Sequence, residues 1–316
     1  MSSKKIALIG AGQIGGSLAL LASQRNLGEI ILLDAFEGMA IGKSLDLAQM
    51  SSLSNNDACF KGTKDYKDIK DADVCIITAG FARKDGMSRE ELLLKNIEVI
   101  KQVALGIKTY APNAFVIMVT NPLDVMVYVF HKLSGFKSNK VVGMAGVLDS
   151  ARFRTFIAEE VGVSKKDVNA LVLGGHGDDM VPLTRFCTVA GIHLDELVAM
   201  GLLSKDRLDY IIERTRKGGG EIVKHLANGS AFYAPALSSI EMCESYLFNQ
   251  KRLLPCAAYL EGQYGIKNLF IGVPVIIGEN GVEKIIELRL DEQEKKAFER
   301  SVNSVKNVVA QAESML

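Results

Sequence analysis
The stretch that decides the fold is Ile6-Ala7-Leu8-Ile9-Gly10-Ala11-Gly12-Gln13-Ile14-Gly15. Its leading apolar residues read as a buried strand, and Leu18, Leu21 and Ala22 beyond the last glycine continue at helical spacing. Strand and helix are joined by G-x-G-x-x-G. The first glycine permits a tight turn, the second lets the backbone approach a diphosphate, and the third allows close helix–strand packing. The helix N-terminus adds N–H groups and the positive end of its dipole.

A glycine triplet alone can be an ordinary turn, so the residues that follow carry weight. Asp34 ends the next apolar run, Ile30 to Leu33. A carboxylate there would accept from ribose hydroxyls and repel a 2′-phosphate, which favours NAD over NADP. Further apolar runs, Val74 to Thr78, Phe115 to Val119 and Val141 to Val142, alternate with helical patterns. One of these patterns, Leu93, Ile97, Ile100, Ala104 and Ile107, reads as a crossover helix with one buried stripe. Such alternation predicts a doubly wound parallel-sheet Rossmann domain.

After about Asp149 the pattern changes. An apolar strand at Val168 to Leu173 is followed by a helical tract from Ser204 to Leu226. Strand-like runs follow at Phe270 to Ile277 and Lys284 to Leu288, then a charged terminal helix from about Asp291 to Met315. The expected organisation is a Rossmann domain over residues 1–148 and a mixed α/β substrate domain over 149–316, tightly docked, without internal repeats.

Composition narrows the function. The chain has 316 residues, 48% hydrophobic and 23% charged, enough for a sizeable core. Lys plus Arg and Asp plus Glu both number 37, so no global field favours nucleic acid or an anionic membrane, and anions must be recognised locally. No apolar stretch has spanning length. The five cysteines (Cys59, Cys75, Cys187, Cys243, Cys256) form no C-x-x-C pair and read as reduced thiols, which points to the cytoplasm. His131, His176, His193 and His225 show no metal-ligand spacing, so no metal is expected.

The candidate chemistry lies in three further segments. Gly80-Phe81-Ala82-Arg83-Lys84-Asp85-Gly86-Met87-Ser88-Arg89 follows a strand, where ligands bind in such folds; its glycines suit a lid and its arginines suit a carboxylate. Leu148-Asp149-Ser150-Ala151-Arg152 and Gly174-Gly175-His176-Gly177-Asp178 supply an aspartate and a histidine that can pair. The carboxylate would fix the imidazole tautomer and stabilise the imidazolium.

Together with Thr120-Asn121-Pro122, these segments resemble the lactate and malate dehydrogenase family, over nearly the whole chain and in the expected order. Gly218-Gly219-Gly220-Glu221 and Gly229-Ser230-Ala231-Phe232-Tyr233-Ala234-Pro235 resemble its second-domain segments near the substrate. The resemblance implies an NAD-dependent 2-hydroxy acid dehydrogenase. In it His176 exchanges the proton, Asp149 partners it, Arg152 clamps the C1 carboxylate, Arg89 polarises the C2 carbonyl, and Asn121 bonds the substrate oxygen. Asn96, Val119, Thr120 and Asn121 would line the cofactor site beside Gly10 to Gly15 and Asp34. A homotetramer or homodimer is also implied.

In this family the residue six before the lid's catalytic arginine reads the substrate's far end, and here it is Arg83. A second carboxylate, as in malate or oxaloacetate, would neutralise it, whereas lactate would leave a desolvated guanidinium unpaired. Malate is therefore expected over lactate. Ala82 and Asp85 depart from the commoner malate-type lid, which has Pro before this Arg and Pro or a small residue after Lys84.

Two rivals remain. Tyr128-Val129-Phe130-His131-Lys132 fits the Y-x-x-x-K of short-chain dehydrogenases, but the glycine spacing opposes that reading. A non-catalytic dinucleotide-binding protein would be expected to lack one of His176, Asp149, Arg152 or Arg89, and all four are present.

Overall fold
A computed structural model describes residues 4–54, 56–82, 87–227 and 229–316. The first half runs β1 Lys5–Ile9, α1 Gln13–Gln24, β2 Glu29–Leu33, α2 Glu37–Ser51, β3 Phe60–Thr63 and β4 Val74–Ile77. It continues with α3 Arg89–Tyr110, β5 Phe115–Met118, α4 Leu123–Ser134 and β6 Val141–Gly143. These strands pair in parallel in the order β3-β2-β1-β4-β5-β6. That order is the dinucleotide-binding one, with its reversal between β1 and β4 creating a crevice at the carboxyl ends of both strands.

The local causes are visible in the sequence. β4 and β5 are buried along their whole length, as strands covered on both faces must be. The predicted stripe Leu93, Ile97, Ile100, Ala104 and Ile107 is the buried face of α3, whose start is fixed by a reciprocal Ser88–Glu91 capping box. α4 ends at Gly135, which takes the left-handed conformation that closes a helix.

The second half runs α5 Gly146–Val161, β7 Val168–Asn169, β8 Val172–Leu173, β9 Val181–Pro182, β10 Thr188–Val189 and β11 Ile192–His193. Then come α6 Leu194–Ala199, α7 Lys205–Leu226, α8 Tyr233–Leu247, β12 Arg252–Glu261, β13 Lys267–Gly278, β14 Gly281–Ile285 and α9 Glu292–Ser314. β12 pairs antiparallel with β6, and β13 and β14 follow, so the two halves share one nine-stranded sheet. Residue 148, the expected boundary, falls inside α5, which runs unbroken from Gly146.

Two expectations change in detail. The strand expected at Lys284 to Leu288 forms earlier, as β14, Gly281–Ile285. Val168 to Leu173 is not a single strand: β7 joins β10, while β8 pairs with β9 in a separate ribbon. The break has a cause, because the Val172 N–H donates to the Ser150 hydroxyl at 3.0 Å instead of continuing a ladder. The terminal helix forms where it was expected, with Asp291 and Glu294 making its capping box.

Candidate active site
The glycine-rich turn is closed so tightly that only glycine fits at positions 10 and 15. Gly10 has φ +111°, and a Cβ on Gly15 would stand 1.9 Å from the Gly10 carbonyl oxygen. A Cβ on Gly12, by contrast, would meet nothing within 4 Å, so the backbone there faces open space. The first helical bond of α1 is Gly16 N–H to the Gly12 carbonyl at 3.0 Å, which leaves the preceding amides for a ligand. Open space, forward-facing amides and a glycine-closed turn fit a dinucleotide diphosphate.

Asp34 stands across this turn. Its Oδ2 accepts from the Ala11 N–H at 2.7 Å and its Oδ1 from the Phe36 N–H at 2.9 Å. The carboxylate is thereby held at the end of β2, beside the turn.

Asn96 is fully buried on α3 and joins two neighbouring segments. Its Oδ1 accepts from the Phe81 N–H at 2.7 Å, and its Nδ2 donates to the Phe81 and Asn121 carbonyls at 3.1 and 2.7 Å. It is therefore a clamp between the Gly80 loop and the turn at Asn121-Pro122, whose peptide bond is cis. Thr120 reinforces the clamp by donating to the Ala79 carbonyl at 2.7 Å. Val119, like Thr120, is buried at the end of β5.

The acid–base constellation comes from two elements. Asp149 lies in the first turn of α5, and His176 follows β8 in a loop secured to β13 by paired Gly174–Gly272 backbone bonds at 2.9 and 3.1 Å. His176 Nδ1 lies 2.8 Å from Asp149 Oδ2. Arg152, one helical turn beyond Asp149, donates to its Oδ1 at 3.1 Å. Burial disfavours the charged imidazole, but the Asp149 charge and hydrogen bond outweigh it and the His176 pKa is raised.

Two supports of this loop were not anticipated from sequence. The His176 N–H donates to Asp124 Oδ2 at 2.7 Å, and the Gly175 N–H donates to Ser301 Oγ at 2.9 Å. Asp124 is buried in the first turn of α4, its Oδ1 has no hydrogen-bond partner, and burial pushes its carboxyl up to about 6. The only sequence signal was a carboxylate among Leu123, Val125, Met126 and Val127, a costly place for one unless it serves as an acceptor.

Arg152 is seated against α7. A Cβ on Gly218 would approach its Cδ at 3.2 Å, so the Gly218-Gly219-Gly220 run leaves room for the arginine. Its Nε is buried without a protein partner, an unmet donor on a side chain expected to grip a carboxylate. A cavity of about 430 Å³ opens beside it, bordered by Leu148, Arg152, Ile222, His225 and Ala234. A larger one, about 760 Å³, lies at the amino ends of β4, β5 and β6 and touches none of the expected site residues.

Not every expected residue joins the cluster. Arg89, the first residue of α3, is exposed. Arg83, with Lys84, Asp85 and Gly86, lies outside the described residues. Tyr128 and Lys132, the Y-x-x-x-K pair, both bond Glu313 on α9 at the molecular surface.

Comparison with known proteins agrees in extent as well as kind. The lactate/malate dehydrogenase NAD binding domain matches residues 4–143, and the lactate/malate dehydrogenase alpha/beta C-terminal domain matches residues 146–316. A malate dehydrogenase of Methylobacterium radiotolerans is 59% identical over 309 residues, covering 98% of this chain and 97% of that one. The crystal structure of Cryptosporidium parvum malate dehydrogenase superposes with TM-score 0.97 at 48% identity, covering 99% of both chains. The lactate dehydrogenase of the same organism, complexed with lactic acid and nicotinamide adenine dinucleotide, gives 0.96 at 45% identity, again over 99% of both.

Proposed function
This chain belongs to the lactate/malate dehydrogenase family, and from that premise we propose that it transfers a hydride reversibly between malate and NAD, giving oxaloacetate and NADH. The observation that carries the chemistry is the pairing of half-buried His176 with the buried Asp149 carboxylate, which Arg152 also holds. Fold alone does not choose the substrate, since malate and lactate dehydrogenases superpose on the chain almost equally. The choice rests on Arg83 and on the 59% identity to a malate dehydrogenase.

NAD, when bound, would supply the acceptor for the hydride that leaves C2 of the hydroxy acid. The protein's own residues handle the proton and the charges. Neutral His176 removes the hydroxyl proton, and Asp149 stabilises the imidazolium that results. Arg152 holds the C1 carboxylate in two-point geometry and fixes C2 relative to the histidine. Asn121 bonds the substrate oxygen. Arg89 stabilises the charge that develops on that oxygen, and Arg83 neutralises the far carboxylate, once the lid brings them over the site. In the reverse direction His176 starts protonated.

The cofactor is held by Gly10, Ala11, Gly12, Gln13, Ile14 and Gly15 at the diphosphate and by Asp34 at the ribose, with Asn96, Val119, Thr120 and Asn121 shaping the nicotinamide side. A homo-oligomer, dimer or tetramer, is supported by apolar side chains left open on two helices flanking α1. They are Ile41 and Leu45 on α2 and Tyr233 and Leu237 on α8, 38 to 72% exposed. A cytoplasmic setting fits four buried free thiols, the exposed free Cys59, and described helices too short or too polar to cross a membrane.

The deciding experiment compares oxaloacetate with pyruvate, each with NADH and NADPH, in steady state. Oxaloacetate with NADH should lead in kcat/KM by orders of magnitude. Pyruvate equal to oxaloacetate would overturn the substrate assignment, and a preference for NADPH would overturn the role of Asp34.

A further inference from the structure
The glycine-rich turn carries no basic side chain of its own: Gly10-Ala11-Gly12-Gln13-Ile14-Gly15-Gly16 is neutral throughout. A cation nevertheless reaches it from another element. Lys43, on α2 and 31 positions along the chain from Gly12, donates from Nζ to the Gly12 carbonyl at 2.6 Å. Gly16 makes room for it, because a Cβ there would come within 3.1 Å of Nζ.

The placement of this ammonium is unusual in a further respect. No carboxylate forms an ion pair with it among the described residues, although Asp34 is near enough for its charge to be felt. Both Asp34 oxygens are already engaged by backbone N–H groups. Partial burial lowers the Lys43 pKa and the Asp34 charge opposes that, so the ammonium is partly dry. A charge in that setting acts more strongly on a neighbouring anion than one in open water. One of its three N–H donors is engaged by Gly12, which fixes its position and leaves two.

We propose that Lys43 is a dinucleotide-positioning residue, its ammonium pinned by the Gly12 carbonyl to supply the diphosphate with the positive charge that the glycine-rich turn lacks. The inference rests on the dinucleotide site proposed above and adds to it a residue that no glycine motif contains. Asp34 and Lys43 then divide the work: the carboxylate selects the ribose, and the ammonium holds the phosphates.

Binding measurements on the intact protein test this without turnover. NADH would be titrated by fluorescence, and ADP-ribose and adenosine by calorimetry, against wild type, Lys43→Met and Lys43→Arg. Lys43→Met should weaken NADH and ADP-ribose about three- to tenfold, the size of a partly exposed charge pair. Adenosine, which has no phosphate, should bind as before. Added salt should weaken wild-type binding more steeply than it weakens Lys43→Met, and Lys43→Arg should restore most of the loss. Unchanged affinity of Lys43→Met for ADP-ribose overturns the proposal, as does an equal loss for adenosine, which would mark a structural role. Failure of the wild type itself to bind NADH would instead sink the dinucleotide site.

Discussion

His176 and Asp149 meet at 2.8 Å through Nδ1 and Oδ2, although 27 positions separate them in the chain. The other oxygen of the carboxylate accepts from Arg152 at 3.1 Å, so a single buried side chain orients both the proposed proton carrier and the proposed substrate clamp. On that proposal, charge at Asp149 governs two functions together.

Replacing Asp149 with Asn tests the electrostatic part. The amide keeps the shape but removes the charge, and turnover should fall by roughly 10³- to 10⁴-fold, as when a carboxylate partner of a catalytic histidine is neutralised. The sign of the pH effect is fixed by the raised His176 pKa. Oxaloacetate reduction needs the imidazolium and should fade as pH rises through a value above the ordinary 6.5, while malate oxidation should fade as pH falls through it. Asp149→Asn should move both limbs to lower pH. Profiles that do not move would remove Asp149 from this role.

Removing Asp124 tests the hidden support. Asp124→Ala leaves the part-buried His176 N–H without its acceptor, a loss of about 1–3 kcal/mol. Urea unfolding should show that destabilisation, and kcat/KM should drop because the histidine loop loses its anchor. Wild-type stability in this variant would mean that the loop is held by Ser301 and the backbone bonds alone.

Gly15→Ala should damage the dinucleotide turn directly. The added methyl would meet the Gly10 carbonyl at 1.9 Å, so the turn must open, at a cost of about 1–3 kcal/mol. NADH affinity is expected to fall at least tenfold by fluorescence titration. Retained affinity would contradict the closeness of that contact.

Asp34→Ala should relax cofactor choice. It removes the negative charge from the proposed ribose site and frees the Ala11 and Phe36 N–H groups. The NADPH-to-NADH ratio of kcat/KM is expected to rise at least tenfold, mainly through weaker use of NADH. An unaltered ratio would place cofactor selection elsewhere.

Arg83→Gln probes the proposed substrate assignment. On the proposed role of Arg83, losing the guanidinium leaves the far carboxylate without a partner, so oxaloacetate turnover should fall by roughly 10²- to 10³-fold and relative use of pyruvate should rise. Steady-state kcat/KM for both keto acids decides it.

Much of the fold was legible because the signals were local. The strand, glycine turn, helix and Asp34 form a contiguous run, and the stripe on α3 and the capping boxes of α3 and α9 are written in neighbouring residues. Less legible were elements whose identity depends on what lies beside them. β3 is a short, half-covered edge strand with Lys61 and Gly62 in its middle, a weak period-2 signal. β12 forms as the partner of β6 and β13, both distant in sequence. Val168 to Leu173 reads as one run, yet Ser150 captures its Val172 N–H and splits it.

By itself the sequence determined the dinucleotide-binding half and the family, and it supplied the candidates proposed as proton carrier, partner carboxylate and substrate arginines, because those depend on residue type and order. Tertiary structure alone decided that Asp124 would hold the His176 backbone, that Gly218 would seat Arg152, and that Lys43 would cross to the Gly12 carbonyl. Each joins segments far apart in the chain, and no local periodicity or spacing encodes such a contact. It exists only once the packing of the helices and loops around the shared sheet has brought those segments together.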